Sequence, residues 1–141
     1  MTELVANAKV VDFSTLRFLV VDDDRDQRYL LSRTLGAMGR ARVLEAPSGH
    51  EALALLDRAG QAVDIVVTDL QMPEMDGMEL VRRIGERKLP VAVILVSALD
   101  GVLLASAATM AQAYGVRVIG TIDKPATLAR REELRSEGGA R

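Results

Sequence analysis

The chain has 141 residues, of which 49% are hydrophobic and 27% are charged, and its formal net charge at pH 7 is -2. This size and composition fit one globular domain, and the charge provides no overall basic field for contacting nucleic acid directly. The absence of cysteine excludes disulfides, thiolate zinc sites and cysteine nucleophiles. Residues 1–14 contain no apolar run of signal-peptide length and no other run could span a bilayer, so we expect a cytoplasmic protein that contacts no membrane.

The chain begins with a weakly patterned segment and then alternates between apolar runs and amphipathic segments. Residues 1–16 show no clear periodicity, and we predict that they form an extension ahead of the domain. The run at residues 18–21 has no polar alternation and stops at three aspartates, which is typical of a strand buried on both faces of a parallel sheet. The predicted strands are 18–21, 41–44, 65–67, 91–96 and 116–122.

Segments with helical spacing fill the gaps between these runs. The predicted helices are 26–38, 48–59, 78–84, 102–114 and 127–135. Ser48 is placed to cap the second helix, and Gly115 is placed to end the fourth. Strands that alternate with helices predict right-handed connections and a parallel sheet covered on both faces. We therefore assign residues 17–135 to one α/β domain and residues 136–141 to a tail or linker.

Acidic, hydroxyl and ammonium side chains follow four of the five predicted strands. They are Asp22, Asp23, Asp24, Asp69, Ser97 and Lys124. Ligands of open α/β sheets bind beyond the carboxyl ends of the strands, so these side chains should share one site. Two carboxylates about 4 Å apart repel by roughly 4 kcal/mol at an effective dielectric of about 20, so a cation is needed. Oxygen ligands without histidine or cysteine favour Mg²⁺ or Mn²⁺. Asp24 is assigned to helix capping or to an exposed loop.

Four strings in the sequence resemble the receiver domains of two-component response regulators. They are FLVVDD at 18–23, DLQMPEMDG at 69–77, VSA at 96–98 and KP at 124–125. The resemblance extends from about residue 17 to residue 134, and the D-x-x-M-P-x-M-D-G string is highly specific. It implies a flavodoxin-like (βα)5 three-layer sandwich with a five-stranded parallel sheet in the strand order 2-1-3-4-5.

The resemblance also implies a role for each matching residue. Asp69 would take a phosphoryl group from a histidine kinase or a phosphotransfer protein, Lys124 would bind the phosphoryl oxygens, and Ser97 would make the hydrogen bond that switches the conformation. The implied Mg²⁺ ligands are Asp22, Asp23, Asp69 and the main-chain carbonyl of Gln71. Such a domain controls an output domain or partner, and it catalyses only its own phosphorylation and dephosphorylation.

Two positions depart from the family pattern. Thr121 stands where an aromatic residue usually lies three positions before the lysine, and Ala126 replaces the phenylalanine that usually follows the Lys-Pro pair. The phosphorylation chemistry is unaffected, but the usual relay from the serine to an aromatic ring lacks its ring. Residues 97–121 look like receivers that precede cyclic-di-GMP phosphodiesterase domains. The output domain would then be of that type, and the chain would be part of a longer regulator.

The main alternative is an aspartate-nucleophile phosphohydrolase of the haloacid-dehalogenase type, which combines a similar residue set with Mg²⁺. Asp22 and Asp24 superficially fit its first motif. However, Arg25 and Asp26 come next where that motif has a threonine or valine, and a later acidic pair is missing. A flavodoxin-like FMN site is disfavoured because three aspartates would repel a phosphate. A degenerate receiver is disfavoured because all five active-site positions are filled. The apolar helix at 102–114 fits either burial or a partner or homodimer face.

Overall fold

A computed structural model describes residues 3–6, 9–12, 16–37, 42–59, 63–98 and 101–124. The elements in chain order are β1 (Glu3–Ala6), β2 (Lys9–Asp12), β3 (Arg17–Val21), α1 (Arg25–Gly36), β4 (Arg42–Ala46), α2 (Gly49–Ala59), β5 (Ile65–Asp69), α3 (Gly77–Glu86), β6 (Ala92–Ser97), α4 (Gly101–Ala113) and β7 (Arg117–Asp123). The predicted helix at 127–135, the tail at 136–141 and Ala126 lie outside the described residues. No helix in the described ranges has the length and apolar character needed to cross a membrane.

The main sheet has five parallel strands in the order β4-β3-β5-β6-β7. Counted among themselves, these strands follow the order 2-1-3-4-5, which confirms the predicted topology. Every residue of the central strand β5 is buried, as expected for a strand covered on both faces. The edge strand β4 is mostly exposed, which explains its weak apolar pattern, and it extends to Ala46 rather than to the predicted Leu44.

Side chains of alternate residues pack on opposite faces of this sheet, as strand geometry requires. One face packs against α2, α3 and α4 and includes Leu19 and Val66. The other face includes Phe18 and Val67, and partly buried residues of α1 pack against it. The described helices therefore form two layers with the sheet between them, and the carboxyl ends of all five strands lie at one edge.

Capping side chains fix where three helices begin. Asp24 precedes α1, and its side chain accepts the N–H groups of Asp26 and Gln27 at 3.0 and 3.3 Å, so the capping assignment is confirmed. Ser48 accepts the N–H of Glu51 at 3.1 Å before α2, also as predicted. Asp76 caps α3. Asp24 lies in the loop after β3 and Asp76 lies in the loop after β5, so these two caps anchor segments that border the site.

The N-terminal segment contains two strands that the sequence analysis did not predict. β1 and β2 pair in an antiparallel register and form a two-stranded sheet separate from the main one. Strands of four residues are too short to show a reliable period-2 pattern, which explains why residues 1–16 looked unpatterned. Their separation from the main sheet agrees with an extension ahead of residue 17, although the domain boundary itself stays a prediction.

Candidate phosphorylation site

Three carboxylates meet at the carboxyl edge of the sheet, as the sequence predicts. Asp22 and Asp23 directly follow β3, and Asp69 is the last residue of β5. One oxygen from each side chain lies within 4.8 Å of the other two. Asp22 and Asp69 are 0% exposed, and Asp23 is half-buried. Since β3 and β5 are hydrogen-bonded neighbours, the strand order itself brings these three residues together.

Asp69 is held at both of its carboxylate oxygens. Nζ of Lys124 lies 3.0 Å from Oδ2, and the main-chain N–H of Gln71 donates to Oδ1 at 3.1 Å. The Lys124 and Asp69 side chains are both 0% exposed, so their charges interact in a medium of lower dielectric than water. The main-chain N–H of Lys124 donates to the carbonyl of Ser97 at 2.9 Å, which fixes the lysine beyond β7. The predicted phosphate-binding lysine thus contacts the predicted phosphoacceptor.

Asp22 is buried and is bound by donors from the residues that follow it. Its Oδ1 accepts the main-chain N–H of Asp24 at 2.9 Å, and its Oδ2 accepts Nε2–H of Gln27. Burial, and next the negative charge of Asp69, raise the pKa of Asp22 from 3.8 to about 8. The protein environment therefore disfavours the Asp22 anion, first through burial and then through repulsion by Asp69.

The side chains present fit a hard divalent cation. Mg²⁺ prefers oxygen ligands and is bound by one or two carboxylates together with water and phosphoryl oxygens. Asp22, Asp23 and Asp69 supply carboxylates within reach of one ion, and the described part of the chain brings no histidine to them. A cation at this position would also oppose the repulsion by Asp69, which adds to the effect of burial in raising the pKa of Asp22.

Ser97 lies beside Asp69 at the end of the neighbouring strand. It is the last residue of β6, and the sheet register pairs Asp69 with Val96, one residue earlier. Ser97 is 0% exposed, so it belongs to the interior of the site. Thr121, which replaces the family's usual aromatic residue, is exposed on β7. A relay of the usual kind would therefore end on a small polar side chain at the surface.

The loop after Asp69 ends at a glycine that has no room for a side chain. A Cβ at Gly77 would lie 2.3 Å from the carbonyl oxygen of Asp69 and 2.8 Å from Cα of Leu70. We expect Gly77→Ala to lower the free energy of unfolding by about 1–3 kcal/mol, because backbone at the end of β5 must shift. Urea unfolding measures this, and Gly36→Ala is the control because a Cβ there meets nothing within 4 Å. Equal midpoints for the two variants would contradict the close approach.

Two side chains at the site were not predicted from the sequence. Thr68 is buried and its Oγ1 donates to the carbonyl of Asp69 at 3.0 Å, and Gln27 contacts Asp22. Gln27 precedes Leu31 by one helical turn and Leu35 by two, so it is a polar residue at the start of an apolar stripe. That interruption was the available signal for Gln27. For Thr68, the sequence indicates only that the residue belongs to a buried strand.

Comparison with known proteins identifies the family. The sequence profile of the response regulator receiver domain matches residues 18–134. The chain belongs to this family. RocR, a cyclic di-GMP phosphodiesterase from Pseudomonas aeruginosa, is 34% identical over 126 residues, which make up 89% of this chain and 32% of RocR. A chemotaxis protein CheY homologue from Campylobacter jejuni is 41% identical over 73 residues, which make up 52% of this chain and 55% of the homologue.

Solved structures agree with this assignment. A chain of the crystal structure of the CheX–CheY–BeF₃–Mg²⁺ complex from Borrelia burgdorferi superposes on this receiver with a TM-score of 0.66 at 25% identity, covering 86% of this chain and 89% of that one. The receiver matches only about a third of RocR and about half of the CheY homologue.

Family membership decides the class of function. The chain is a phosphoacceptor receiver domain, a signalling domain of two-component response regulators, and the phosphohydrolase alternative has no support. Receivers of this family bind Mg²⁺ at an acidic pocket, and this chain has the corresponding aspartate cluster. They act together with histidine kinases or phosphotransfer proteins and with output domains.

Proposed function

We propose that Asp69 is the phosphoacceptor of this receiver and that Lys124, Ser97 and the acidic cluster assist the transfer. The observation that carries this proposal is the direct contact between Asp69 Oδ2 and Nζ of Lys124, both buried, beside two further carboxylates. A nucleophilic carboxylate is therefore already next to an ammonium group that can neutralise negative charge on the incoming phosphoryl group.

In the proposed reaction, a carboxylate oxygen of Asp69 attacks the phosphorus atom of a phosphohistidine. The new O–P bond forms an acyl phosphate while the N–P bond breaks, and the imidazole of the donor leaves with the electron pair and takes up a proton. Lys124 exchanges its contact with Oδ2 for the phosphoryl oxygens and stabilises their negative charge. The O–H of Ser97 then donates a hydrogen bond to a phosphoryl oxygen, which is the switching contact.

Asp22, Asp23, Asp69 and the main-chain carbonyl of Gln71 are the proposed ligands of Mg²⁺, or of Mn²⁺ in its place. When bound, the ion neutralises charge that builds up on the phosphoryl oxygens and on the carboxylates. The chain's part is to hold three carboxylates together at the end of the sheet and to keep water away from two of them. Hydrolysis of the acyl phosphate at the same site would reset the switch.

The partners follow from the family, and their identity here is part of the proposal. A histidine kinase or phosphotransfer protein would supply the phosphoryl group, in the cytoplasm. The similarity to RocR supports an output domain of the cyclic-di-GMP phosphodiesterase type. Helix α4 leaves Val102, Leu103 and Met110 exposed while Leu104 and Ala111 are buried, so the same helix serves both the core and a surface that fits a homodimer.

The proposal is tested by incubating the protein with acetyl phosphate and Mg²⁺ and recording its intact mass. We expect the wild type to gain one phosphoryl group, and Asp69→Asn to gain none, because the amide is not a nucleophile for phosphorus. Asp26→Asn is the matched control, since Asp26 is an exposed acid in the first turn of α1. Chelation of Mg²⁺ should abolish the adduct. An adduct that persists in Asp69→Asn would show that another residue is phosphorylated.

A further inference from the structure

Gln27 is a buried amide directly against the acidic cluster. The residue is 1% exposed, and its Nε2–H donates to Oδ2 of Asp22. Leu31 and Leu35 follow it at intervals of four residues, and both pack against the face of the sheet that α1 covers. Gln27 therefore occupies the first position of a core-facing stripe, where an apolar side chain would be expected.

Stability of the core does not explain a glutamine at this position. The Oε1 atom of Gln27 is buried and has no hydrogen-bond partner among the described residues. Burying a polar atom in this way costs free energy that an apolar side chain of similar volume would not cost. Among the described residues, the Gln27 side chain makes its hydrogen bond through the N–H that donates to Asp22. A role for glutamine at this position must therefore come from that hydrogen bond.

The N-cap and the first turn of α1 fix Asp22 at three atoms. Besides Gln27 at Oδ2, the N–H of Asp24 binds Oδ1 at 2.9 Å, and the guanidinium of Arg28 donates to the Asp22 carbonyl at 2.7 Å. With a donor on each carboxylate oxygen, the plane of the carboxylate is set by α1. Groups that orient a metal-binding carboxylate commonly change metal affinity 10- to 100-fold when they are removed.

We propose that Gln27 is a positioning residue for the cation site: its amide holds the Asp22 carboxylate in the orientation used to bind the divalent cation of the phosphorylation reaction. The inference rests on the proposed function, because it assigns Asp22 to that cation. The Gln27 amide donates its hydrogen bond to Asp22, so the proposed effect on the cation acts through that carboxylate.

The test compares wild type with Gln27→Met, which has a similar volume but lacks the donor, and with Ser32→Ala. Ser32 is the matched control, because its buried Oγ is also without a partner in the described part of the chain and it lies five residues further along α1. Mg²⁺ binding to the full chain is measured by isothermal titration calorimetry. We expect the Kd of Gln27→Met to rise about 10-fold or more, the Kd of Ser32→Ala to stay at the wild-type value, and the urea midpoint of metal-free Gln27→Met not to fall.

A second readout separates positioning from a general loss of function. In acetyl phosphate reactions, Gln27→Met should need a higher Mg²⁺ concentration for half-maximal rate, with the maximal rate nearly kept at saturating Mg²⁺. If Gln27→Met does not fold, Gln27→Asn replaces it, since its shorter side chain keeps the amide but withdraws it from Asp22.

An unchanged or lower Kd in the folded Gln27 variant would overturn the inference while leaving the proposed function intact. Wild-type protein that binds Mg²⁺ but gains no phosphoryl group would overturn the proposed function, and the comparison of Kd values would still decide the role of Gln27. Wild-type protein that binds no Mg²⁺ would overturn both.

Discussion

We expect Lys124→Met and Asp69→Asn to change the free energy of unfolding of the metal-free protein in opposite directions, although each removes one member of the same buried ion pair. Three carboxyl groups and one ammonium group meet here, and their net charge is -2 when all three acids are ionised. Removing Lys124 leaves the carboxylates without their buried counter-charge, and breaking such a pair typically costs about 3–5 kcal/mol. Removing the charge of Asp69 instead relieves repulsion on Asp22, so this variant should be as stable as the wild type or more stable.

Urea unfolding in the presence of a chelator measures both changes. Mg²⁺ should restore part of the stability lost in Lys124→Met, because it supplies positive charge to the folded state only. The same variant should be phosphorylated by acetyl phosphate at least about 100-fold more slowly, the usual effect of removing a group that stabilises developing negative charge. If Asp69→Asn lost as much stability as Lys124→Met, the pair itself, and not the excess of negative charge, would dominate the energetics of the cluster.

The sequence predicted β3, β5 and β6 well because these strands are mostly buried and their apolar runs are therefore uninterrupted. The five strands of the main sheet occur where the apolar runs predicted them, and their ends place Asp22, Asp69, Ser97 and Lys124 at one edge. Among the five strands of the main sheet, β4 differs most from its predicted bounds, because it is an edge strand whose exposed side chains weaken the pattern. The strand order and the assigned roles came from the family resemblance, since no periodicity specifies which strands are neighbours.

The contacts within the site could not be predicted in the same way. A sequence shows that acids follow a strand, but it does not show that Asp22 and Asp69 are fully buried or that Lys124 binds Asp69 Oδ2. Those facts depend on how loops from three strands pack together. Gln27 was missed for a related reason, because helical periodicity alone does not reveal which neighbour a buried polar side chain meets.

The buried and exposed sides of helix α4 could not be predicted from its sequence. Its residues are apolar around much of the circumference, which fitted both burial and an exposed partner face. The structure shows both situations on one helix, with Leu104 buried and Val102 exposed. The side that faces the sheet is set by the tertiary arrangement, so composition could not distinguish the two sides.

The stability of the metal-free protein should fall as the pH rises from about 4 to about 8, because of Asp22. Its pKa is raised from 3.8 to about 8 in the folded protein, first by burial and then by Asp69. Between these values the folded state keeps a proton that the unfolded state has released, so the free energy of unfolding decreases with pH, by up to about 1.4 kcal/mol per pH unit. Asp64 and Glu79, whose pKa values are lowered by arginine partners, affect stability below this range.

Urea midpoints measured at pH 6 and pH 8 in chelator test this expectation, with Asp22→Asn beside the wild type and Asp26→Asn as the control. Asp22→Asn should lose most of the decrease and should be more stable than the wild type at pH 8, whereas Asp26→Asn should keep the wild-type slope. A wild-type midpoint that does not fall would contradict the shifted pKa. If Asp22 binds Mg²⁺ as proposed, Mg²⁺ and the proton compete for its carboxylate, and the stabilisation by Mg²⁺ should be larger at pH 8 than at pH 6 in the wild type. In Asp22→Asn that difference should shrink, which would assign the competition to Asp22 rather than to its neighbours.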